Sequence, residues 1–83
     1  MVLLEPQNMN DIASRVKARR EKLGLTGRAL TELLRERGVS VSYSWLRNVE
    51  TGAHTAGPAL RLLELSRILG TSLEWLLTGR GRR

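Results

Sequence analysis

Apolar residues in this chain recur mostly three or four positions apart, which is the spacing of one face of an α-helix. No stretch alternates apolar and polar residues with the two-residue period of a half-buried strand. Serine or threonine precedes several apolar stretches and glycine follows them, which is typical of helix starts and ends. The pattern therefore predicts an all-α fold of five short helices, at about 11–23, 26–37, 43–51, 58–69 and 73–77.

The third of these stretches has the clearest division into two faces. Ser42 is a suitable N-cap and Gly52 a suitable stop. An apolar stripe is formed by Trp45, Leu46 and Val49. The outer face then carries hydroxyls, a guanidinium and an amide but no carboxylate: Tyr43, Ser44, Arg47 and Asn48. These groups can hydrogen-bond base edges in a DNA major groove. A solvated surface helix has the same pattern, so both interpretations stay open at this point.

The first helix has an arginine within its apolar face. Ile12, Val16, Arg20 and Leu23 fall on that face at spacings of four, four and three. A buried arginine needs a partner, which predicts a carboxylate near this position. The remaining basic residues of this helix are predicted to lie mostly on other faces: Arg15, Lys17, Arg19 and Lys22.

The other helices supply most of the predicted core. The second has a clear inner face, made of Ala29, Leu30, Leu33 and Leu34. The fourth is apolar over most of its circumference, which predicts that it contacts several neighbours. The fifth has apolar residues on more than one face, so they either close the core or form a dimer surface: Leu73, Trp75, Leu76 and Leu77.

The two ends of the chain read as additions to one small domain at 11–78. Residues 1–10 are predicted to form an N-terminal arm, whose apolar segment 2–4 docks on the body, docks on a second subunit, or frays. Residues 79–83 are predicted to form a basic tail. A chain of 83 residues has room for one such domain.

Charge adds an expected partner. The formal net charge is +6, from 14 basic and 8 acidic residues, and all but two of the basic residues are arginine. This balance favours a polyanionic partner without separating DNA from RNA or acidic protein. The chain lacks cysteine, a signal peptide and an apolar run of the ~20 residues that a membrane span needs. We therefore expect a cytoplasmic, DNA-associated location.

Candidate catalytic groups are few. His54 is the single histidine and Asp11 the single aspartate, and no nucleophile is spaced to act with them. A metal site would need more Cys or His ligands than the chain has. No glycine-rich phosphate loop follows a strand pattern. We expect neither an enzyme nor a cofactor.

The order of the helices resembles a known family. Two helices, a connection, Val41-Ser42 and then a helix ending Glu-x-Gly are similar to the helix-turn-helix family of lambdoid phage repressor and Cro proteins, also called the XRE family. The likeness covers about residues 11–78, most clearly at 20–34, 41–52 and 70–79. It implies a five-helix, lambda-repressor-like DNA-binding domain.

The resemblance also implies roles for individual residues. The family's third helix lies in the major groove, and its base-contacting positions correspond to Tyr43, Ser44, Arg47 and Asn48. Phosphate contacts correspond to the start of the second helix and to both ends of the third: Thr26, Gly27, Arg28, Ser42, Thr51, His54 and Thr55. The family commonly has Gln at the position of Gly27, so only a backbone contact is expected there. It often pairs an arginine of the first helix with a glutamate ending the third, which predicts a salt bridge between Arg20 and Glu50.

One departure affects the expected docking. Residues 35–40 stand where the family usually has a single glycine. The second helix is therefore about a turn longer or its connection looser, so the docking angle is left open.

Three functions remain to be compared. The leading expectation is a sequence-specific transcriptional regulator, acting as a homodimer on an inverted repeat with half-sites about 34–36 Å apart. The alternative is the antitoxin of a toxin–antitoxin pair, which would use the same fold to bind DNA and a partner protein. General RNA binding ranks lower, because single-strand readers use exposed aromatic platforms and only Tyr43 is an expected exposed aromatic.

Overall fold

A computed structural model describes residues 12–52 and 59–81, and all of its regular secondary structure over these ranges is helical. The five helices within these ranges follow the predicted order. They are α1 (Ile12–Lys22), α2 (Gly27–Glu36), α3 (Tyr43–Thr51), α4 (Ala59–Leu69) and α5 (Leu73–Thr78). The prediction of an all-α domain is confirmed for the described part of the chain. None of the helices there is long and apolar enough to cross a membrane.

Short polar motifs set the helix boundaries. Thr26, Ser42 and Ser72 each accept a hydrogen bond through the side-chain oxygen from the backbone N–H three residues later, at 3.0 Å. Such caps satisfy one of the free donors of the first turn. Gly52 and Gly79 end α3 and α5 with φ of 78° and 79°, a left-handed conformation that residues with a Cβ rarely adopt.

One hydrophobic core joins the helices. α1 packs against α3, α4 and α5, and α4 also packs against α2 and α5, as its apolar circumference predicts. α3 lies between α1 and α2. The buried apolar side chains come from every helix and from the α2–α3 connection: Val16, Leu30, Leu34, Val39, Val41, Trp45, Leu46, Val49, Leu62, Leu65, Leu69 and Leu76.

Two arginines of α1 donate hydrogen bonds to backbone carbonyls at the ends of α4 and α5. Arg15 is only 6% exposed, and its Nε and Nη2 donate to the carbonyls of Leu76 and Leu77 at 2.8 and 2.9 Å. Arg19 donates through Nε and Nη2 to the carbonyl of Leu69 at 3.2 and 2.9 Å. These guanidinium groups satisfy carbonyls that the ends of α4 and α5 leave without helical partners. The prediction that Arg15 lies off the buried face was wrong.

Leu23 does not lie on the buried face of α1, although the helical spacing predicts that it does. It was assigned to the inner stripe but is exposed. α1 ends at Lys22, so Leu23 lies in the turn that leads to Gly24, whose φ is 74°. Leu23 therefore lies one residue beyond α1, and the prediction that it belongs to the buried face was wrong.

The connection between α2 and α3 is held at several points. Val39 and Val41 are buried in the core. The N–H of Val39 donates to the carbonyl of Leu34 at 3.0 Å, and Nε of Arg35 donates to the carbonyl of Val41 at 3.0 Å. The six-residue connection 37–42 is therefore fixed to the bundle despite its length, and α2 ends at Glu36 with an Arg37 cap.

Candidate functional site

The outward face of α3 exposes the polar groups that the sequence predicts. Ser44, Arg47 and Asn48 are exposed, while Trp45, Leu46 and Val49 are buried beneath them. Together with Thr51, the three exposed residues line an open, shallow depression of about 180 Å³. The positions i, i+3 and i+4 bring hydroxyl, guanidinium and amide groups to one side of the helix. This face therefore presents both donors and acceptors to a ligand.

The guanidinium of Arg47 is available to a ligand. Most other described arginines contact a carboxylate, a carbonyl or an aromatic ring within the fold: Arg15, Arg19, Arg20, Arg28, Arg35, Arg37, Arg61 and Arg67. Among the arginines at 12–52 and 59–81, Arg47 and Arg80 have no such side-chain contact. Arg47 is thus a cation on the outer face of α3 that no internal interaction holds.

An ion pair fixes the far end of α3. The predicted salt bridge between Arg20 and Glu50 is present and bidentate, with Nε–Oε2 at 2.7 Å and Nη2–Oε1 at 3.0 Å. Nη1 of Arg20 also donates to the carbonyl of Leu25 at 2.8 Å. The hydrogen bonds to Glu50 raise the pKa of the Arg20 guanidinium, which outweighs the lowering by burial. The carboxylate at the end of α3 is therefore occupied and points to α1.

Tyr43, at the start of α3, does not point fully outward, although the sequence predicts that it does. Tyr43 is partly buried, and its ring lies against the backbone of Gly27 in α2. A Cβ added to Gly27 would lie 2.7 Å from Cε1 of Tyr43. The guanidinium carbon of Arg28 lies 4.5 Å from the centroid of the same ring, within cation–π range. Sequence spacing within one helix contains no signal for this contact between α2 and α3.

Several of the residues predicted to touch phosphates are exposed at helix ends. Thr26 and Ser42, the caps of α2 and α3, are exposed. Thr51 is exposed as well, and its hydroxyl donates to the carbonyl of Asn48 at 3.3 Å. His54 and Thr55 lie outside the described residues, as does the arm at 1–10.

The proposed dimer surface on α5 needs one correction. Leu76 is fully buried in the core, so it cannot form part of a surface. Leu73 and Trp75 are partly buried and pack against the same core. Leu77 is 41% exposed. The short α5 must cover the core with one side, which leaves Leu77 as the exposed large apolar residue of this helix.

Comparison with known proteins gives no relative from which a role could be transferred: no family model matches the chain, and neither curated proteins nor solved structures gave a match. No group of three or more His, Cys, Asp or Glu side chains suited to a metal occurs at 12–52 and 59–81.

Proposed function

We propose that this chain is a sequence-specific DNA-binding transcriptional regulator of the phage repressor and Cro type. In this proposal α2 and α3 form a helix-turn-helix and α3 enters the major groove. One observation carries the proposal: Ser44, Arg47 and Asn48 are exposed together on a face without a carboxylate. Arginine can make a bidentate contact to guanine, asparagine to adenine, and a hydroxyl can bond several bases.

The anchoring of α3 supports reading by that face. Trp45, Leu46 and Val49 fix the inner side of the helix, and the pair of Arg20 with Glu50 fixes its end. A helix with a fixed backbone presents its side chains to the bases in one register, which favours discrimination between bases. The buried valines of the connection 37–42 extend the same rigidity to the angle between α2 and α3.

Affinity would come from the backbone of the duplex. A net charge of +6 favours a polyanion. We propose that Arg28 and the N-cap hydroxyls of Thr26 and Ser42 contact its phosphates. Phosphate contacts position the protein, while base contacts select the sequence. A single helix reads few base pairs, so we propose binding as a homodimer to an inverted repeat, with half-sites about 34–36 Å apart.

Selection of duplexes from a random pool at fixed salt tests the proposal. We expect an enriched inverted repeat, and Arg47→Ala and Asn48→Ala should each reduce discrimination at one position by about 1–3 kcal/mol. Arg80→Ala is the matched control, since Arg80 is also an unengaged arginine but lies beyond α5. It should leave the preferred sequence unchanged. If no sequence is enriched, or if the Arg47 and Asn48 variants select the same bases as the wild type, the proposed function is wrong.

A further inference from the structure

Gly27, Arg28 and Tyr43 are in contact, and helix formation does not explain why position 27 is glycine. Gly27 is the first residue of α2, and it is absent from the glycines with positive φ. Its backbone conformation therefore does not require glycine. The ring of Tyr43 does require it, because a Cβ would lie 2.7 Å from Cε1. Glycine at this position makes room for the tyrosine.

The space gained by the glycine allows an ordered stack. The Tyr43 ring lies on α2 at Gly27, and the Arg28 guanidinium carbon lies 4.5 Å from the ring centroid. Arg28 itself is exposed and has no carboxylate partner among the described residues. A ring face attracts the guanidinium without neutralising it, so its charge stays available to an anion. The contact joins the first turns of α2 and α3.

We propose that Tyr43 is a positioning residue that acts through its ring, holding the Arg28 guanidinium in place for a DNA phosphate. This role replaces the base contact through the hydroxyl that the resemblance implies for Tyr43. It rests on the proposed function, because the anion is the phosphate backbone of the duplex. The role requires an aromatic ring at position 43, glycine at position 27 and a cation at position 28, and it does not require the phenolic oxygen.

Three substitutions separate the ring from the hydroxyl. Tyr43→Phe keeps the ring and removes the hydroxyl. Tyr43→Ala removes both. Gly27→Ala keeps the tyrosine but pushes its ring aside, because the new Cβ would lie 2.7 Å from Cε1. Thermal unfolding followed by circular dichroism checks that each variant folds.

The first measurement is made without DNA. In nuclear magnetic resonance spectra, stacking on a ring shifts the side-chain protons of Arg28 upfield. We expect the shift in the wild type and in Tyr43→Phe, and its loss in Tyr43→Ala and Gly27→Ala. Arg47, which has no ring contact among the described residues, is the internal reference. An Arg28 shift that ignores Tyr43→Ala would overturn the proposed stack whatever the protein binds.

The second measurement is affinity for the selected duplex and for a scrambled duplex across a salt series. Tyr43→Ala and Gly27→Ala should weaken both duplexes by about two- to fivefold, the affinity equivalent of an exposed cation–π contact. The salt dependence should flatten in the same direction as in Arg28→Ala, where the loss of one phosphate contact lowers the slope by about 0.9. Tyr43→Phe should match the wild type, and Arg28→Ala with Tyr43→Ala should bind like Arg28→Ala alone.

The outcomes distinguish this inference from the proposed function. If Tyr43→Phe changes the preferred sequence, the hydroxyl reads a base and the positioning role is wrong while DNA binding stands. If Tyr43→Ala leaves the salt dependence unchanged in a protein that binds its duplex, the positioning role is again wrong. If the wild type binds neither duplex, the proposed function fails, and the phosphate role of Arg28 fails with it.

Discussion

Replacement of Glu50 by glutamine tests how strongly the ion pair behind α3 stabilises the fold. The side chains of Arg20 and Glu50 are only 14% and 11% exposed, and two hydrogen bonds of 2.7 and 3.0 Å join them. Removing one partner of a buried pair leaves a charge that water cannot fully solvate, at a cost of about 3–5 kcal/mol. The remaining bond from Arg20 to the carbonyl of Leu25 reduces this penalty, as does the carboxylate of Glu21, which lies 4.0 Å from Nη2 of Arg20. We therefore expect Glu50→Gln to destabilise the protein by about 3 kcal/mol.

Unfolding at neutral pH, followed by circular dichroism, measures this loss. A loss of that size corresponds to a fall in melting temperature of roughly 12–24 °C, since 1 kcal/mol shifts a domain of this size by about 4–8 °C. Glu32→Gln is the matched control, because Glu32 also pairs with an arginine, Arg35, but the side chains are 63% and 51% exposed. An exposed pair contributes below about 1 kcal/mol. If Glu50→Gln has no larger effect than Glu32→Gln, the reasoning from burial is refuted.

The pH dependence of stability and a double variant test the same ion pair further. Folding raises the pKa of Arg20, so the stabilisation of its charged form is fully present below the unfolded-state pKa and is lost only as the pH rises through the folded-state value. The difference between wild type and Glu50→Gln should therefore persist into moderately alkaline solution. Replacing both residues by apolar ones, Arg20→Met with Glu50→Leu, should recover much of the loss because no unpaired charge remains.

Three other substitutions test the ends of the helices, each by the change in unfolding free energy. Arg15→Met should cost about 2–3 kcal/mol, since one buried and one partly buried carbonyl of α5 lose a charged donor. Lys17→Met should change stability by less than about 0.5 kcal/mol. Gly79→Ala should cost more than Gly24→Ala, because both have positive φ but only at Gly79 would the new Cβ lie 3.1 Å from Nη1 of Arg15. Ser42→Ala should cost about 1 kcal/mol, because it removes the N-cap of α3. Equal effects of the two glycine variants would contradict the role given to Gly79. No effect of Ser42→Ala would contradict the role given to the cap.

The sequence predicts local features of this fold well, for a physical reason. Helix boundaries depend on caps and on glycines with positive φ, and both act within a few residues. The glycines that follow the predicted helices include Gly38, Gly52, Gly70 and Gly79, and each has such a φ in the structure. Exposure of Ser44, Arg47 and Asn48 also follows from helical spacing, because the apolar stripe fixes which side of α3 faces inward.

Contacts between distant residues account for what the sequence did not predict. Arg15 is buried because carbonyls 61 and 62 residues later need donors, and nothing near position 15 reveals that need. Leu76 and Leu77 are adjacent and identical, so composition cannot assign one to the core and the other to the surface. The stack of Tyr43 on Gly27 depends on the angle between α2 and α3, which periodicity within either helix does not determine. The pair of Arg20 with Glu50 was reached through the family resemblance.

The net charge does not by itself show which arginines can contact a phosphate. Most described arginines are engaged internally: Arg15 and Arg19 with carbonyls, and Arg20 with a carboxylate. A carbonyl leaves the charge of its arginine in place, so the long-range field that attracts a polyanion persists. The side chain, however, is not free to reach a phosphate. Attraction and contact are therefore separate properties here, and proposed contacts must come from the few arginines whose guanidinium groups remain accessible. Arg47 is accessible because it has no internal partner, and Arg28 because its partner is a ring that leaves the charge exposed. These two lie on the helices that the proposal places against DNA.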